Sequence, residues 1–281
     1  MKIFHAIEDA EMVPLFYEKT GIRPNILIAH NNIKGNASKL TADYRSLINL
    51  LYLDSGAYAV FTGASKTNAR KYRQFIRNHG HLFDVVFNLD DRFDDPEHNL
   101  LNRQLYLEDE LPPNVKAPIP VVHHKTDPFG EFESYVELGH EYIAIGSSGS
   151  REDKDKLLGL AKAKHPNVKV HLFGDLNRQL LEKHLPYSAD SASWSHQAGR
   201  GGGVYYWRPS ENKQYFYNVG GRDDMKGKPH IRQSPIWEEI RAFLYDKFRY
   251  EYRHLSQYKV RWLLNIYFYT QWEDYLNSLD K

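Results

Sequence analysis

The chain has 281 residues, a net charge of +1 and no cysteine. The lack of cysteine excludes disulfide bonds, thiolate zinc sites, iron–sulfur clusters and cysteine nucleophiles. Apolar residues make up 41% of the chain and charged residues 26%, which is typical of a globular protein and argues against disorder. There is no apolar run of about 18 residues and no signal-peptide pattern at the N-terminus, so we expect a cytoplasmic protein without a membrane span.

Short apolar runs alternate with longer amphipathic stretches from residue 26 to about residue 206. The runs predict seven strands: Asn25–Ala29, Leu50–Leu53, Phe83–Leu89, Ile119–Val122, Tyr142–Ile145, Val168–Phe173 and Tyr187–Asp190. The stretches between them predict helices at about 38–49, 66–79, 97–110, 129–139, 151–164 and 175–184. A strand followed by a helix, repeated this often, predicts a parallel sheet and the α/β fold class.

Two architectures fit this alternation. An eighth strand, either Val204–Trp207 or Tyr215–Val219, would close a (β/α)8 TIM-like barrel. A doubly wound open sheet fits almost as well, but Ala29–Asn32 stands where its glycine-rich turn would follow the first strand. We predict the barrel, with residues 1–206 as the catalytic core and 207–281 as a loop and helical extension that completes it.

The C-terminal extension combines aromatic and basic residues. Residues 222–261 contain ten basic and six acidic residues, a local charge of +4, and Pro235–Leu279 predicts one long helix or two. Arg249 and Arg253 would lie on a face that follows phosphates and stacks on unpaired bases. Residues such as Trp262 and Leu263 fit equally well as a face packed on the barrel, and we expect one face of each kind.

Carboxylates follow three of the predicted strands, and in a barrel the chemistry lies at these carboxyl ends. The residues are Asp54 after the second strand, Asp90 and Asp91 after the third, and Asp190 at the end of the seventh. A carboxylate pair on one rim suits glycosidic chemistry, in which one attacks C1′ and the other moves protons. The alternative for any single aspartate at such a position is a helix N-cap.

Histidines and glycines follow other strands. His123 and His124 come after the fourth strand, and because neighbours on a strand point to opposite sides, we predict hydrogen-bonding or packing roles for them and no metal site. Gly146 and Gly174 follow the fifth and sixth strands, where a glycine turn lets the backbone approach a ligand closely.

Several of these segments together resemble tRNA-guanine transglycosylases. The segment Asp54–Tyr58 reads DSGAY and is similar to that family's DSGG-aromatic motif. Asp190–Trp194, followed by a turn that ends at Gly199–Arg200, is similar to its nucleophile segment, and the Gly146 and Gly174 turns match two others. The sequences HLFGD and YSADSASW are closest to the phage and bacterial branch, the DpdA-type DNA-guanine transglycosylases, which insert 7-deazaguanines into DNA.

The resemblance implies a role for each matching residue. Asp190 would be the nucleophile and Asp54 the general acid/base. The substrate-binding residues would be Ser55, Gly56, Tyr58 stacked on the base, Asp90 or Asp91 on its amidine-like edge, His123 or His124 on its carbonyl side, Gly146, Ser147 and Gly174. Together with the basic C-terminal extension, the sequence predicts nucleic-acid contacts at Arg200, Arg249 and Arg253, and the expected reaction requires no cofactor.

The chain departs from the tRNA family in three respects. The cysteine ligands of the family's zinc site are absent, Ala57 replaces the second glycine of the DSGG motif, and the turn between Asp190 and Arg200 is one residue longer. The first difference favours DNA over RNA as the substrate. We therefore expect a DNA-guanine transglycosylase with DNA and a 7-deazaguanine base as its two substrates.

Alternatives remain at the sequence level. They are a tRNA transglycosylase that works without zinc, a hydrolase in which water resolves the ester, and a non-catalytic nucleic-acid-binding subunit. A homodimer and an association with partner modification enzymes are both compatible with the sequence.

Overall fold

The structure, a computed structural model, describes residues 1–33, 35–93, 95, 97–102, 111–123, 126–146, 150–196, 202–220 and 227–279. The chain divides into two compact units. The first unit contains residues 1–8 and 25–191, and the second contains residues 9–24 and 192–281. The division predicted at residue 206 assigns activities to its two parts and stays a prediction.

The first unit is built on one parallel sheet of eight strands. They are β1 (Lys2–Ala6), β2 (Asn25–Ala29), β3 (Leu51–Asp54), β4 (Val85–Val86), β5 (Val121–Val122), β6 (Tyr142–Ile145), β7 (Lys169–Leu172) and β8 (Ser188–Ser191). Their order in the sheet is β4-β3-β2-β1-β8-β7-β6-β5. The first and last strands are neighbours, as in TIM-like folds, and this arrangement disagrees with the doubly wound alternative.

The sheet is curled, and its concave side forms a core. One buried cluster contains Phe4, Leu27, Tyr52, Val121 and Ala144, from strands β1, β2, β3, β5 and β6, together with Phe87, which directly follows β4. At the open edge, Phe87 and Ile119 form a single parallel bridge in place of a regular ladder between β4 and β5. The α/β class and the TIM-like character are therefore confirmed, whereas regular strand pairing does not continue around a closed barrel.

Helices of the first unit connect the strands. The α-helices are Ala57–Phe61, Ala69–His79, Pro128–Glu137, Arg151–Lys164 and Arg178–His184, and residues 97–102 are also helical. Side-chain caps begin four of them, at Asn68, Asp127, Ser150 and Asn177. Such caps satisfy backbone N–H groups that lack partners in the first turn, which is why these helices begin where they do.

The helix predicted at 38–49 is wrong. The segment instead forms a π-helical turn, Lys39–Asp43, and a 3-10 turn, Arg45–Leu47. The Thr41 hydroxyl donates to the carbonyl of Ala37, and such back-bonding favours a distorted helix. Shorter 3-10 turns lie at His30–Asn32 and Gly80–Leu82.

The second unit contains a β-hairpin formed by the two segments that were predicted as candidates for the eighth strand. Strands β9 (Gly203–Arg208) and β10 (Lys213–Asn218) pair antiparallel with each other, so neither predicted candidate is the eighth strand of the parallel sheet. The strand of the parallel sheet that the sequence pattern did not predict is β1, at the N-terminus. The α-helices of this unit are Met12–Thr20, Ser193–His196, Trp237–Phe248 and Tyr258–Ser278, with 3-10 turns at Pro209–Glu211, Ile231–Gln233 and Tyr252–Ser256.

None of the helices in the described part of the chain combines the length and the apolar character that a membrane crossing requires.

Candidate active site

Asp190 lies at the end of β8, on the concave side of the curled sheet. Ser188, two residues earlier on β8, hydrogen-bonds to Tyr142 of the concave side, and alternation along a strand gives Asp190 the same orientation. The carboxylate is buried, and its Oδ1 accepts a hydrogen bond of 3.0 Å from the backbone N–H of Gly174. Gly174 has a φ of 62°, a left-handed conformation that favours glycine. The turn after β7 therefore holds one oxygen of Asp190.

Asp54 lies at the end of β3 and follows the same alternation from Tyr52 in the buried cluster. Burial, together with a smaller effect of the charge of Asp190, raises the pKa of Asp54 to about 6. Hydrogen bonds from the backbone of Gly56 and from Ser55 oppose this shift. Gly56 has a φ of 77°, and a Cβ there would lie 2.6 Å from Oδ1 of Asn31. The DSGA turn therefore needs its glycine.

The two carboxyl groups thus occupy different environments, and the charge of Asp190 influences the pKa of Asp54. Asp190 is held by a backbone donor, and Asp54 is held in a setting that favours its protonated form. A pair in which one group is ionised while the other can hold a proton is suited to a nucleophile and a general acid.

Asp90 belongs to a buried polar cluster beside β5. Its Oδ1 accepts a hydrogen bond of 2.5 Å from Asn88, and the charge of Glu131 adds to burial in raising the pKa of Asp90 well above its usual value. Oδ2 of Asp90 and Oδ1 of Asn88 are buried and have no hydrogen-bond partner among the described residues. Such atoms are costly unless a ligand or water meets them.

Asp91, unlike Asp90, has hydrogen-bond partners in a helical segment. Its Oδ1 lies 2.9 Å from Nε2 of His98 and accepts a hydrogen bond of 2.8 Å from Asn102. Both partners belong to the helical segment 97–102, so Asp91 joins that segment to the loop that follows β4.

His123 lies just after β5 and is buried, and burial lowers its pKa to about 3. The ring is therefore neutral at physiological pH and stacks on Phe93 at 4.3 Å and 11°. Its backbone N–H donates to Glu131, and a Cβ at Gly146 would lie 2.2 Å from its ring. Gly146 is thus required for His123 to occupy this position. His124 and Ser147 lie outside the described residues.

His171 is a member of the site that sequence reasoning missed. Its side chain is completely buried on β7, and Nε2 lies 3.3 Å from Oδ1 of Asp190. Nδ1 lies 2.8 Å from the hydroxyl of Ser188, which in turn lies 2.7 Å from the hydroxyl of Tyr142. The available signal was a histidine in the apolar run of residues 168–173, two residues before Phe173, so that alternation places it on the concave side of the sheet.

The other predicted contact residues differ in exposure. Ser55 is buried, whereas the side chain of Tyr58 is 65% exposed. In the second unit, the guanidinium of Arg249 lies 5.3 Å from the ring centre of Tyr245, and Arg253 pairs with Glu251 at 3.0 Å. Tyr245, Glu251 and Arg253 border a cleft of about 580 Å³ that is lined by residues of both charges and by tyrosines. Arg200 lies outside the described residues, and nucleic-acid binding by all three arginines stays a prediction.

In the described part of the chain, no three histidine, aspartate or glutamate side chains are grouped so as to hold a metal ion. Comparisons with known proteins add no family: no family model, curated protein or solved structure matches the chain.

Proposed function

We propose that the chain is a DNA-guanine transglycosylase that exchanges guanine in DNA for a 7-deazaguanine base. The observation that carries the proposal is the pair of inward-facing carboxylates, in which the charge of Asp190 helps to raise the pKa of Asp54. The resemblance of both surrounding segments to transglycosylase motifs supports the same assignment. The carboxyl ends of the curled, TIM-like sheet, where both carboxylates lie, are the place where the chemistry of such folds is found.

The first half of the proposed reaction breaks the glycosidic bond. The target nucleotide leaves the base stack, because a stacked base keeps C1′ out of reach. An oxygen of Asp190 attacks C1′ and forms an ester as the bond from C1′ to the base nitrogen breaks. Gly174 and His171 both face Oδ1, which favours Oδ2 as the attacking atom. The departing guanine takes the proton of Asp54.

The second half restores a glycosidic bond. The nitrogen of the 7-deazaguanine attacks C1′ and gives its proton to Asp54. The bond to Asp190 breaks, and the carboxylate is released to the Gly174 N–H and to His171. Two inversions at C1′ give retention of configuration, as in other enzymes with a carboxylate nucleophile.

Base recognition is assigned to Asp90. Guanine and its 7-deaza analogues present two donors on one edge, N1–H and the exocyclic amine, and one carboxylate can accept both. Asp90 carries a buried oxygen without a partner in the described part of the chain, whereas Asp91 already accepts from its helical segment. Two donors from the base would favour ionised Asp90 and replace the solvation that burial removes.

The test is incorporation of labelled guanine into a DNA oligonucleotide and, in parallel, into tRNA. We expect label in DNA with the wild-type protein, loss of at least about a thousandfold with Asp190→Asn, and normal activity with the exposed control Asp43→Asn. A covalent adduct between protein and DNA should survive denaturation, and Asp190→Asn should not form it. Substantial exchange by Asp190→Asn would overturn the assignment. Label in tRNA alone would move the substrate to RNA, and abasic sites without label would indicate a hydrolase.

A further inference from the structure

A basic segment without acidic residues follows the DSGA turn. Between Asp54 and Asp84 the sequence contains no aspartate or glutamate, and it contains five basic residues: Lys66, Arg70, Lys71, Arg73 and Arg77. No compensating charge lies within the segment, in contrast to residues 222–261, where six acidic residues are interspersed. We refer to residues 57–77 as the aromatic-basic segment.

Two aromatic side chains of this segment lie at the surface. Tyr58 is 65% exposed and Phe61 is 53% exposed. They are three residues apart on the helix Ala57–Phe61, so they lie on the same side of it. The ring of Phe61 also stacks on Phe93 at 4.6 Å and 18°, and Phe93 stacks on the buried His123. Phe61 is therefore the outermost ring of an ordered stack.

The cations lie on the next helix and on the turn before it. The helix Ala69–His79 buries Tyr72 and Ile76 and leaves Arg70 and Lys71 exposed, and Lys66 is exposed in the turn. The ion pairs of the described residues do not involve these three cations. Their charge is therefore available to a partner.

Hydrogen bonds fix the turn between the two helices. The N–H of Ser65 donates to the carbonyl of Ala59 at 2.9 Å, which ties the turn to the first helix. The Asn68 side chain accepts from the N–H of Lys71 and caps the second helix. The exposed rings and the three cations thus belong to two consecutive helices and the ordered turn between them, a segment that begins three residues after Asp54.

We propose that the aromatic-basic segment binds an unpaired polynucleotide strand, with Tyr58 and Phe61 stacking on bases and Lys66, Arg70 and Lys71 contacting phosphates. Stacking requires base faces that a duplex does not offer, and cations that track phosphates complete the usual chemistry of single-strand binding. This inference rests on the proposed function, which it deepens: the strand beside the exchanged base would be held single-stranded.

Binding can be measured without catalysis, by fluorescence anisotropy with the full chain. The probes are a labelled 12-nucleotide single-stranded DNA, an RNA of the same sequence and the 12-base-pair DNA duplex. We expect at least one of the two single-stranded probes to bind more tightly than the duplex, by about tenfold or more. Stacking on each ring would add to the phosphate contacts. The DNA and RNA arms identify which polynucleotide the surface prefers.

Two variants separate stacking from charge. Tyr58→Ala should weaken single-strand binding by about tenfold and leave duplex binding unchanged. The triple variant Lys66→Glu, Arg70→Glu, Lys71→Glu should weaken every probe and lower the salt dependence of log K by about two, since each phosphate contact contributes about 0.7 on a single strand. The matched control reverses the same number of charges at exposed lysines of the first unit outside the segment, Lys116→Glu, Lys162→Glu and Lys164→Glu, and should change affinity less than the triple variant.

The outcomes distinguish this inference from the proposed function. Equal affinity for single strands and duplex, unchanged binding by the triple variant, or displacement of the probe by polyglutamate as strongly as by DNA would overturn the inference even if base exchange is active. Single-strand binding that follows the expected pattern in a protein without exchange activity would support the surface and count against the transglycosylase assignment.

Discussion

The raised pKa of Asp54 leads to a prediction at the scale of a single residue. Its folded pKa of about 6 lies above its ordinary value of 3.8, chiefly because it is buried. Below pH 3.8 both the folded and unfolded chains hold the proton, so the stability contribution of this group is intact. Between pH 3.8 and 6 the unfolded chain releases the proton first, and the free energy of unfolding falls as the pH rises.

Asp54→Asn should remove this loss. The variant and the wild type should be similarly stable at pH 4, and the variant should gain up to about 3 kcal/mol by pH 7, as measured by urea unfolding at a series of pH values. The control of opposite sign is Asp153→Asn, because hydrogen bonds from Ser150 lower the pKa of Asp153 and its contribution is present only above its pKa. A constant difference between wild type and Asp54→Asn over pH 4 to 7 would contradict the raised pKa.

Local patterns predicted much of the candidate site. Alternation along β3 and β8, together with the turns after them, indicated Asp54 and Asp190 at the carboxyl ends of strands, and the structure brings both to the concave side. The contact of His171 with Asp190 was not predictable in this way. It depends on which strands are neighbours and on ring packing across the sheet, and neither is encoded in the residues next to His171.

The hydrogen bonds of Asn265 lead to a prediction at the scale of secondary-structure elements. It is completely buried on the helix Tyr258–Ser278 and joins that helix to two other elements of the second unit. Its side chain donates to the carbonyls of Trp194 and Gly203 and accepts from the N–H of Tyr205 at 2.8 Å. One amide therefore connects the helix Ser193–His196, strand β9 and the C-terminal helix.

Asn265→Ala should lower the free energy of unfolding by about 3 kcal/mol, because it leaves buried backbone groups without these hydrogen bonds. Asp274→Ala, at an exposed position of the same helix, is the matched control and should cost less than about 1 kcal/mol. All five tryptophans of the chain lie in the second unit, so tryptophan fluorescence during urea unfolding reports this unit directly. A cost for Asn265→Ala equal to that of the control would show that the three hydrogen bonds contribute little.

At the scale of the whole molecule, the sequence predicted the fold class better than the closure of the sheet. The repeated strand–helix pattern indicated the parallel sheet, and apolar runs located most of its strands. Strand β1 was missed because Lys2 and His5 interrupt a run of only five residues, and the later hairpin of β9 and β10 has the stronger apolar and aromatic pattern. The pairing of β1 with β8 is a contact between the two ends of the first unit, which no local pattern encodes.

The position of β1 makes it decisive for the first unit. It pairs with β2 on one side and with β8 on the other, and so joins the half of the sheet that contains Asp54 to the half that contains Asp190. Phe4 at its centre is completely buried and stacks on Tyr52 at 3.9 Å. Phe4→Ala should lower the free energy of unfolding by about 3–5 kcal/mol, because the cavity would lie where the two halves of the sheet meet.

Far-UV circular dichroism during urea unfolding measures this loss of stability. Two further variants serve as controls. Phe4→Leu retains most of the apolar volume and should cost clearly less than Phe4→Ala, and Lys2→Ala, at the less buried start of the same strand, should cost less still. If the loss arises at the junction of the two halves, Phe4→Ala should also return the pKa of Asp54 toward 3.8, since Asp190 and the walls that bury Asp54 would no longer be held in place. Equal stability of Phe4→Ala and Lys2→Ala would mean that β1 does not join the sheet as described.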